Sequence, residues 1–162
     1  MNTNDQHKLV ELLRGFSTAM LITRDGDHHL RARPMAIADV EDSGKMWFLS
    51  GEDTAKVHEI EVDTHVHLAL QKGTIYLSIN GMATLIHDRS KVHELWDNSF
   101  ELWFPGGMYD PNLVLIAVEP IDAEYWDNHG WQKVKTLYRA AKSFVTGKGS
   151  ARDEQPLHGS LQ

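Results

Sequence analysis

The stretch that decides the fold is Leu30-Arg31-Ala32-Arg33-Pro34-Met35, followed after a turn by Lys45-Met46-Trp47-Phe48-Leu49-Ser50 and then by Asp53-Thr54-Ala55-Lys56-Val57-His58-Glu59-Ile60. It reads as strand, strand and helix start, with cations and hydroxyls gathered at the joins. Two residues apart on a strand, Arg31 and Arg33 share one face. A phosphate group is served by such a set: guanidinium and ammonium groups bring charge and forked hydrogen bonds, hydroxyls bring directional ones, and a helix N-terminus adds free backbone N–H groups. The segment therefore points to a phosphorylated ligand. Taken alone, an Arg-x-Arg pair more often marks a solvated strand edge, and a lone lysine is usually an exposed helix residue.

Working outward, Leu9, Leu12, Leu13 and Phe16 recur at helical spacing behind Asp5 as a cap, which predicts a first helix ending near Gly15. Residues 18–23 and 29–40 form a hairpin around Arg24-Asp25-Gly26-Asp27, and Glu41-Asp42-Ser43-Gly44 turns into the strand 45–50. Asp53 or Thr54 caps a short helix carrying Val57 and Ile60. Val66, Leu68 and Leu70, then Ile75, Leu77 and Ile79, alternate with polar neighbours across a turn at Lys72-Gly73, giving two half-buried strands.

Asp88 caps a helix through Trp96, and a loop containing Trp103-Phe104-Pro105-Gly106-Gly107 precedes a strand over 113–118 that continues past Pro120 to Trp126. Proline cannot donate to a ladder, so Pro120 marks a bend or an edge position. A last helix over 131–145 and a mobile tail over 147–162 complete the expectation of one domain, residues 1–146. About six hairpin-connected strands with short helices between them predict a mainly β (α+β) fold, an antiparallel barrel with peripheral helices.

Composition sets the bounds. With 162 residues, 41% of them hydrophobic and 24% charged, the chain suits a single globular domain with a real core. No segment approaches the ~20 consecutive apolar residues of a membrane span, and Met1-Asn2-Thr3-Asn4-Asp5 does not open like a signal peptide. There is no cysteine, which excludes disulfides and thiolate chemistry and fits a cytoplasmic location. A net charge of −7 argues against broad nucleic-acid binding. His65 and His67 share a strand face but no third ligand follows at metal-site spacing, so no metal is expected. Neither a Gly-x-Ser-x-Gly elbow nor a Gly-x-Gly-x-x-Gly turn is present, which disfavours a serine hydrolase and a Rossmann dinucleotide fold.

The order of these motifs, from about Leu9 to Trp126, resembles the flavin-binding split barrel of the pyridoxamine 5'-phosphate oxidase superfamily, and within it the general stress protein 26 group. The resemblance implies FMN as cofactor and a six-stranded split barrel. It implies that Arg33 and the run from Ser50 through Thr54 to Lys56 hold the flavin phosphate, and that Pro34, Met35, Ala36 and Leu49 lie along the ring or ribityl chain. It implies a homodimer with flavin sites at the subunit interface, in which Trp126, within Glu124-Tyr125-Trp126-Asp127, reaches the flavin of the other subunit. Trp103 could cover the ring in the same way, and Arg31 stays unassigned.

By the same resemblance the chain is expected to be a flavin-dependent oxidoreductase on an unknown small molecule. The alternatives are a non-catalytic flavin-binding stress protein, or the same barrel holding F420 or haem. True oxidases of this superfamily follow the matched tryptophan with an Arg-x-His segment that grips the substrate. This chain continues Asp127-Asn128-His129-Gly130-Trp131-Gln132-Lys133-Val134-Lys135 instead, so oxidation of pyridoxamine 5'-phosphate is not expected.

Overall fold

Alternation of apolar and polar side chains, the sequence's strongest periodic signal, builds one antiparallel sheet. The computed structural model describes residues 3–127. In chain order they form α1 (Thr3–Leu13), β1 (Thr18–Arg24), β2 (Leu30–Ala36), β3 (Asp39–Val40), β4 (Met46–Gly51), α2 (Ala55–Val62), β5 (His65–Lys72), β6 (Ile75–Ile86), α3 (Arg89–Leu95), a 3₁₀ turn over Asn98–Leu102, and β7 (Leu113–Asp127). The strands are ordered β2-β1-β5-β6-β7-β4-β3, and the sheet curls into the split barrel expected from the sequence. No helix among the described residues is long and apolar enough to cross a membrane.

The strand count is seven rather than six. The extended segment read as one strand over 29–40 changes neighbours midway. The Ile37 N–H donates to the Ser17 carbonyl at 2.9 Å, and the next N–H, of Ala38, donates to the Trp47 carbonyl at 2.8 Å. The chain thus leaves β1 for β4 at that point, and β3 begins on the far side of the barrel opening.

Inside the curl, Leu21, Phe48, Leu68, Ile79, Ile116 and Val118 are fully buried, and Leu13 and Phe16 close the core from the α1 side. Each such side chain contributes roughly 1.5–3 kcal/mol by leaving water. Strand β4 is buried at every position, because both of its faces are covered. Met46 and Phe48 enter this inner core. Trp47 and Leu49 enter a second cluster with Val92, Leu95 and Phe100, built by α3 and the 3₁₀ turn. Asp88 holds α3 in place by accepting the N–H groups of Ser90 and Lys91 at 2.8 and 3.2 Å. The helix ends at Leu95, with Trp96 as its C-cap.

Pro120 lies where β7 has a neighbour on one side only, because pairing with β4 ends at Val118. The partner β6 shifts register there, between Asn80 and Gly81. Pro120 therefore occupies both an edge position and an irregularity, as its missing N–H requires. Helix α1 begins at Thr3, so Asp5 falls within its first turn and not at the cap position expected for it. The helix expected over 131–145 and the tail over 147–162 lie outside the described residues.

Candidate functional site

The junction of β4 with α2 is a sharp turn, Ser50-Gly51-Glu52-Asp53-Thr54, pinned from both sides. The Glu52 N–H donates to the Asn112 carbonyl at 2.7 Å, and the Asn112 amide donates to Asp53 at 2.9 Å. His87 meets both oxygens of Glu52 at 2.9 Å. Gly51 is held closely, since a Cβ there would stand 3.0 Å from the Asn112 amide nitrogen and 3.2 Å from Asp53. The turn leaves the first residues of α2 facing a cavity of about 370 Å³, within the usual size range for small-molecule sites.

Eight of the residues singled out from the sequence line this cavity. Ser50, Thr54 and Lys56 supply polar groups, Pro34, Met35 and Ala36 supply the β2 wall, and Leu49 and Trp103 flank them. Thr18, Gly51, Phe100 and Phe104 line it as well. Thr54 occupies the N-cap position of α2, but its hydroxyl makes no hydrogen bond to the helix. It donates instead to the Gly51 carbonyl at 2.8 Å and lies 3.1 Å from the Ser50 hydroxyl. The backbone donors that open α2 therefore lack a side-chain cap, which is the condition that favours an anion.

Burial lowers the pKa of Lys56, and the like charge of Arg33 lowers it further, against smaller opposing effects of Glu59 and Asp53. Glu59 and Asp53 do not offset the burial of this ammonium, so an anion brought against it would be favoured. Arg33 itself does not line the cavity. One of its Nη groups donates to Glu59 at 2.9 Å and the other to the Thr23 hydroxyl. Arg31, on the same face, donates to Asp25 at 2.9 Å and stands 3.8 Å from Glu59.

Met35 points into the inner core although it borders the cavity, because adjacent strand residues face opposite ways. Pro34 and Ala36 are the exposed members of that wall. Trp103 is 70% exposed at the rim. Trp126 is not among the lining residues: it lies opposite Tyr76, near the far end of β7 from the cavity. From Val114, paired with Ser50, it is roughly 40 Å of strand path away.

Sequence reasoning missed Glu59 and Thr23, which meet Arg33, and the aromatic pair Phe100 and Phe104. Glu59 lies three positions after Lys56, so it shares that face of α2; this spacing was the available signal. Of the histidines weighed as ligands, His65 pairs with Asp63 at 3.0 Å, and His67 lies between Asn80 at 2.8 Å and Ser78 at 3.3 Å. A further group, Asp25, Asp27 and His29, brings three donor atoms within 4.8 Å of one another. There Asp25 Oδ1 accepts the N–H groups of Asp27 and His29 at 3.0 and 2.9 Å, which is turn chemistry.

Comparison with known proteins places this geometry in context. The chain is 28% identical over 129 residues to general stress protein 26 of Bacillus subtilis (strain 168), covering 75% of this chain and 89% of that protein. A general stress FMN/FAD binding protein from Xanthomonas citri has a similar structure, with a TM-score of 0.66 and 28% identity, covering 93% of this chain and 99% of that one. General stress protein 26 from Bacillus anthracis str. Sterne shares the fold, with a TM-score of 0.70 at 24% identity over 83% of this chain and 97% of its own. The family model described as pyridoxamine 5'-phosphate oxidase like matches residues 4–151, most of the chain, and the protein belongs to that family.

Proposed function

We propose that the protein binds FMN in the cavity between β2, the β4–α2 junction and the 3₁₀ turn, and uses it as a cytoplasmic oxidoreductase. The observation that carries this reading is Lys56, an ammonium disfavoured by burial and by Arg33, placed beside two hydroxyls and an uncapped helix start. A terminal phosphate supplies the direct anionic partner that would offset the burial of Lys56. Ser50 and Thr54 hydroxyls rotate to donate to it, Lys56 pairs with it as a point charge, and Arg33 adds field from behind. Pro34 and Ala36 offer apolar contact to a planar ring from β2, and Leu49, Phe100 and Phe104, which pack together, offer it with Trp103 from the rest of the lining. When bound, the isoalloxazine supplies hydride or electron transfer, while the protein supplies position and electrostatics.

A second copy of the chain completes the site in this reading. The outer face of the sheet runs from the cavity wall across β1, β5 and β6 to β7, with Pro34 opposite Met20, Met20 opposite Ala69, Ala69 opposite Ser78 and Ser78 opposite Glu124. Met20, Tyr76 and Trp126 stand 38%, 39% and 39% exposed. A two-fold partner seated there covers Met20, Tyr76 and Trp126 and brings its own Trp126 toward this cavity, which this chain's Trp126 does not line.

The experiment is a pair of titrations, FMN against riboflavin, with absorbance spectra of the purified protein. FMN binding at least tenfold tighter than riboflavin is expected from a charge-assisted contact worth roughly 1.5–3 kcal/mol. Equal dissociation constants sink the phosphate assignment, and deazaflavin or haem bands sink FMN. Steady turnover with a nicotinamide donor and an organic acceptor separates an oxidoreductase from a flavin-storing stress protein.

A further inference from the structure

Three polar side chains are buried among the described residues: Thr23 at 1%, Ser50 at 1% and Glu59 at 8% exposure. Ser50 lines the cavity, and the other two meet on Arg33. Thr23 comes from β1, Arg33 from β2 and Glu59 from α2, so three separate elements converge on one guanidinium. Arg33 Nη2 donates to Glu59 Oε2 at 2.9 Å, Arg33 Nη1 donates to the Thr23 hydroxyl, and that hydroxyl donates to the same Glu59 oxygen. The three groups close a ring.

Burying a carboxylate is costly, and a buried ion pair returns little net stability compared with apolar side chains of the same volume. What the ring provides is orientation. A guanidinium has five N–H donors in a rigid fork. Glu59 and Thr23 take two of them and stop rotation about the side chain's last bonds, leaving the Nε–H and one hydrogen on each Nη. An arginine held in this way loses less freedom when it meets an anion than a mobile one. Lys56 shares the α2 face with Glu59, three residues away, so the same carboxylate stands behind both cations.

We propose that Glu59, seconded by Thr23, is the positioning residue of the anion site: it fixes Arg33, which stands behind the cavity lining, so that its charge and its remaining N–H donors are preset for a flavin phosphate held beside Lys56. The inference rests on the reading of the cavity as a site for a phosphorylated flavin. Glu59 touches no ligand in it, and its positioning role is exerted on Arg33.

The test measures FMN and riboflavin dissociation constants for the full chain and for Glu59→Gln, Arg33→Ala, the double variant and Thr23→Val, with Thr23→Ser as the conservative control. Glu59→Gln is expected to weaken FMN roughly tenfold, the scale of one charge-assisted hydrogen bond, and to leave riboflavin unchanged. The double variant is expected to bind FMN as weakly as Arg33→Ala alone, since Glu59 has nothing left to position. Thr23→Val should weaken FMN, and Thr23→Ser should restore it.

Losses that add in the double variant, equal losses for both flavins, or unchanged or tighter FMN binding by Glu59→Gln overturn the inference. If Glu59→Gln fails to fold, Thr23→Val and its serine control decide alone. Lys56→Ala tells the two levels apart. FMN preference lost in Lys56→Ala but kept in Glu59→Gln removes only the positioning role, whereas a parent protein with no FMN preference removes the underlying reading.

Discussion

Lys56 on α2 lies within the field of Arg33 on β2, and after burial that like charge is the largest influence holding its pKa below the ordinary lysine range. A lysine lowered in this way is less protonated in the fold than in the unfolded chain. Its penalty is therefore whole below the depressed value and is relieved as pH rises from that value toward the ordinary one. A phosphate in the cavity reverses the shift, so binding takes up protons. FMN affinity is expected to fall as pH rises through the depressed value, while riboflavin affinity stays level; fluorescence titrations of both flavins over that window check it. For the same reason Lys56→Met should raise the melting temperature of the flavin-free protein while lowering that of the FMN-saturated one.

The proposed homodimer with shared sites predicts complementation. Lys56→Ala and Trp126→Ala each damage every site of their own homodimer, one through the phosphate corner and the other through the indole. After subunit exchange a mixed dimer carries one site with both defects and one with neither. Mixing the two variants should restore FMN spectral shifts toward a quarter of the parent value, one intact site in the half of dimers that are mixed, by the statistics of random pairing of a two-fold dimer. Parent and variants sedimenting as monomers at micromolar concentration with FMN bound would refute it.

Pyridoxamine 5'-phosphate is expected to be a poor substrate. After Trp126 and Asp127 the chain reads Asn128-His129-Gly130 and supplies lysines at 133 and 135, without an arginine followed two places later by histidine. Lysine brings charge without the planar fork, and an unheld substrate forfeits much of the ~7–11 kcal/mol available from orientation. Pyridoxal 5'-phosphate formation under air with saturating FMN measures this. Turnover at about 1 per second or faster, near the ordinary enzymatic range, contradicts it.

Gly81 is expected to tolerate no side chain. A Cβ there would stand 2.7 Å from a Val118 methyl and 2.9 Å from the Glu119 carbonyl oxygen, and Val118 is fully buried in the inner core. Because backbone must move, Gly81→Ala should cost about 1–3 kcal/mol, read as a lower denaturation midpoint at unchanged slope. A change in slope would point instead to a loosened barrel.

Most of the architecture was legible because its signals are local. Alternation at 66–70 and 75–79, the Lys72-Gly73 turn and the Asp88 cap each depend on a few neighbouring residues, and each is found where the sequence places it. The split of the strand over 29–40 was not, since it depends on Ala38 meeting the Trp47 carbonyl across the barrel opening, a partner that no local pattern encodes. The cavity wall was legible through motif order. Its support was not: Glu59 looks like any helix glutamate until β1 and β2 bring Thr23 and Arg33 against it, and burial is a property of the assembled fold.

Strand β4 acquires its second neighbour late. Ser50 lies opposite Val114, about sixty positions further along the chain. At a synthesis rate of roughly 5–20 residues per second, several seconds separate the appearance of the Ser50–Lys56 segment at the ribosome from that of the strand that fixes it. During that interval the nascent chain carries the hydroxyls and cations of the cavity without the strand that pairs along β4 and holds it in place. Flavin binding as proposed is therefore a late event in the life of the molecule, since a chain cut short before β7 carries the residues of the cavity but leaves Ser50 and its strand without the partner that fixes them.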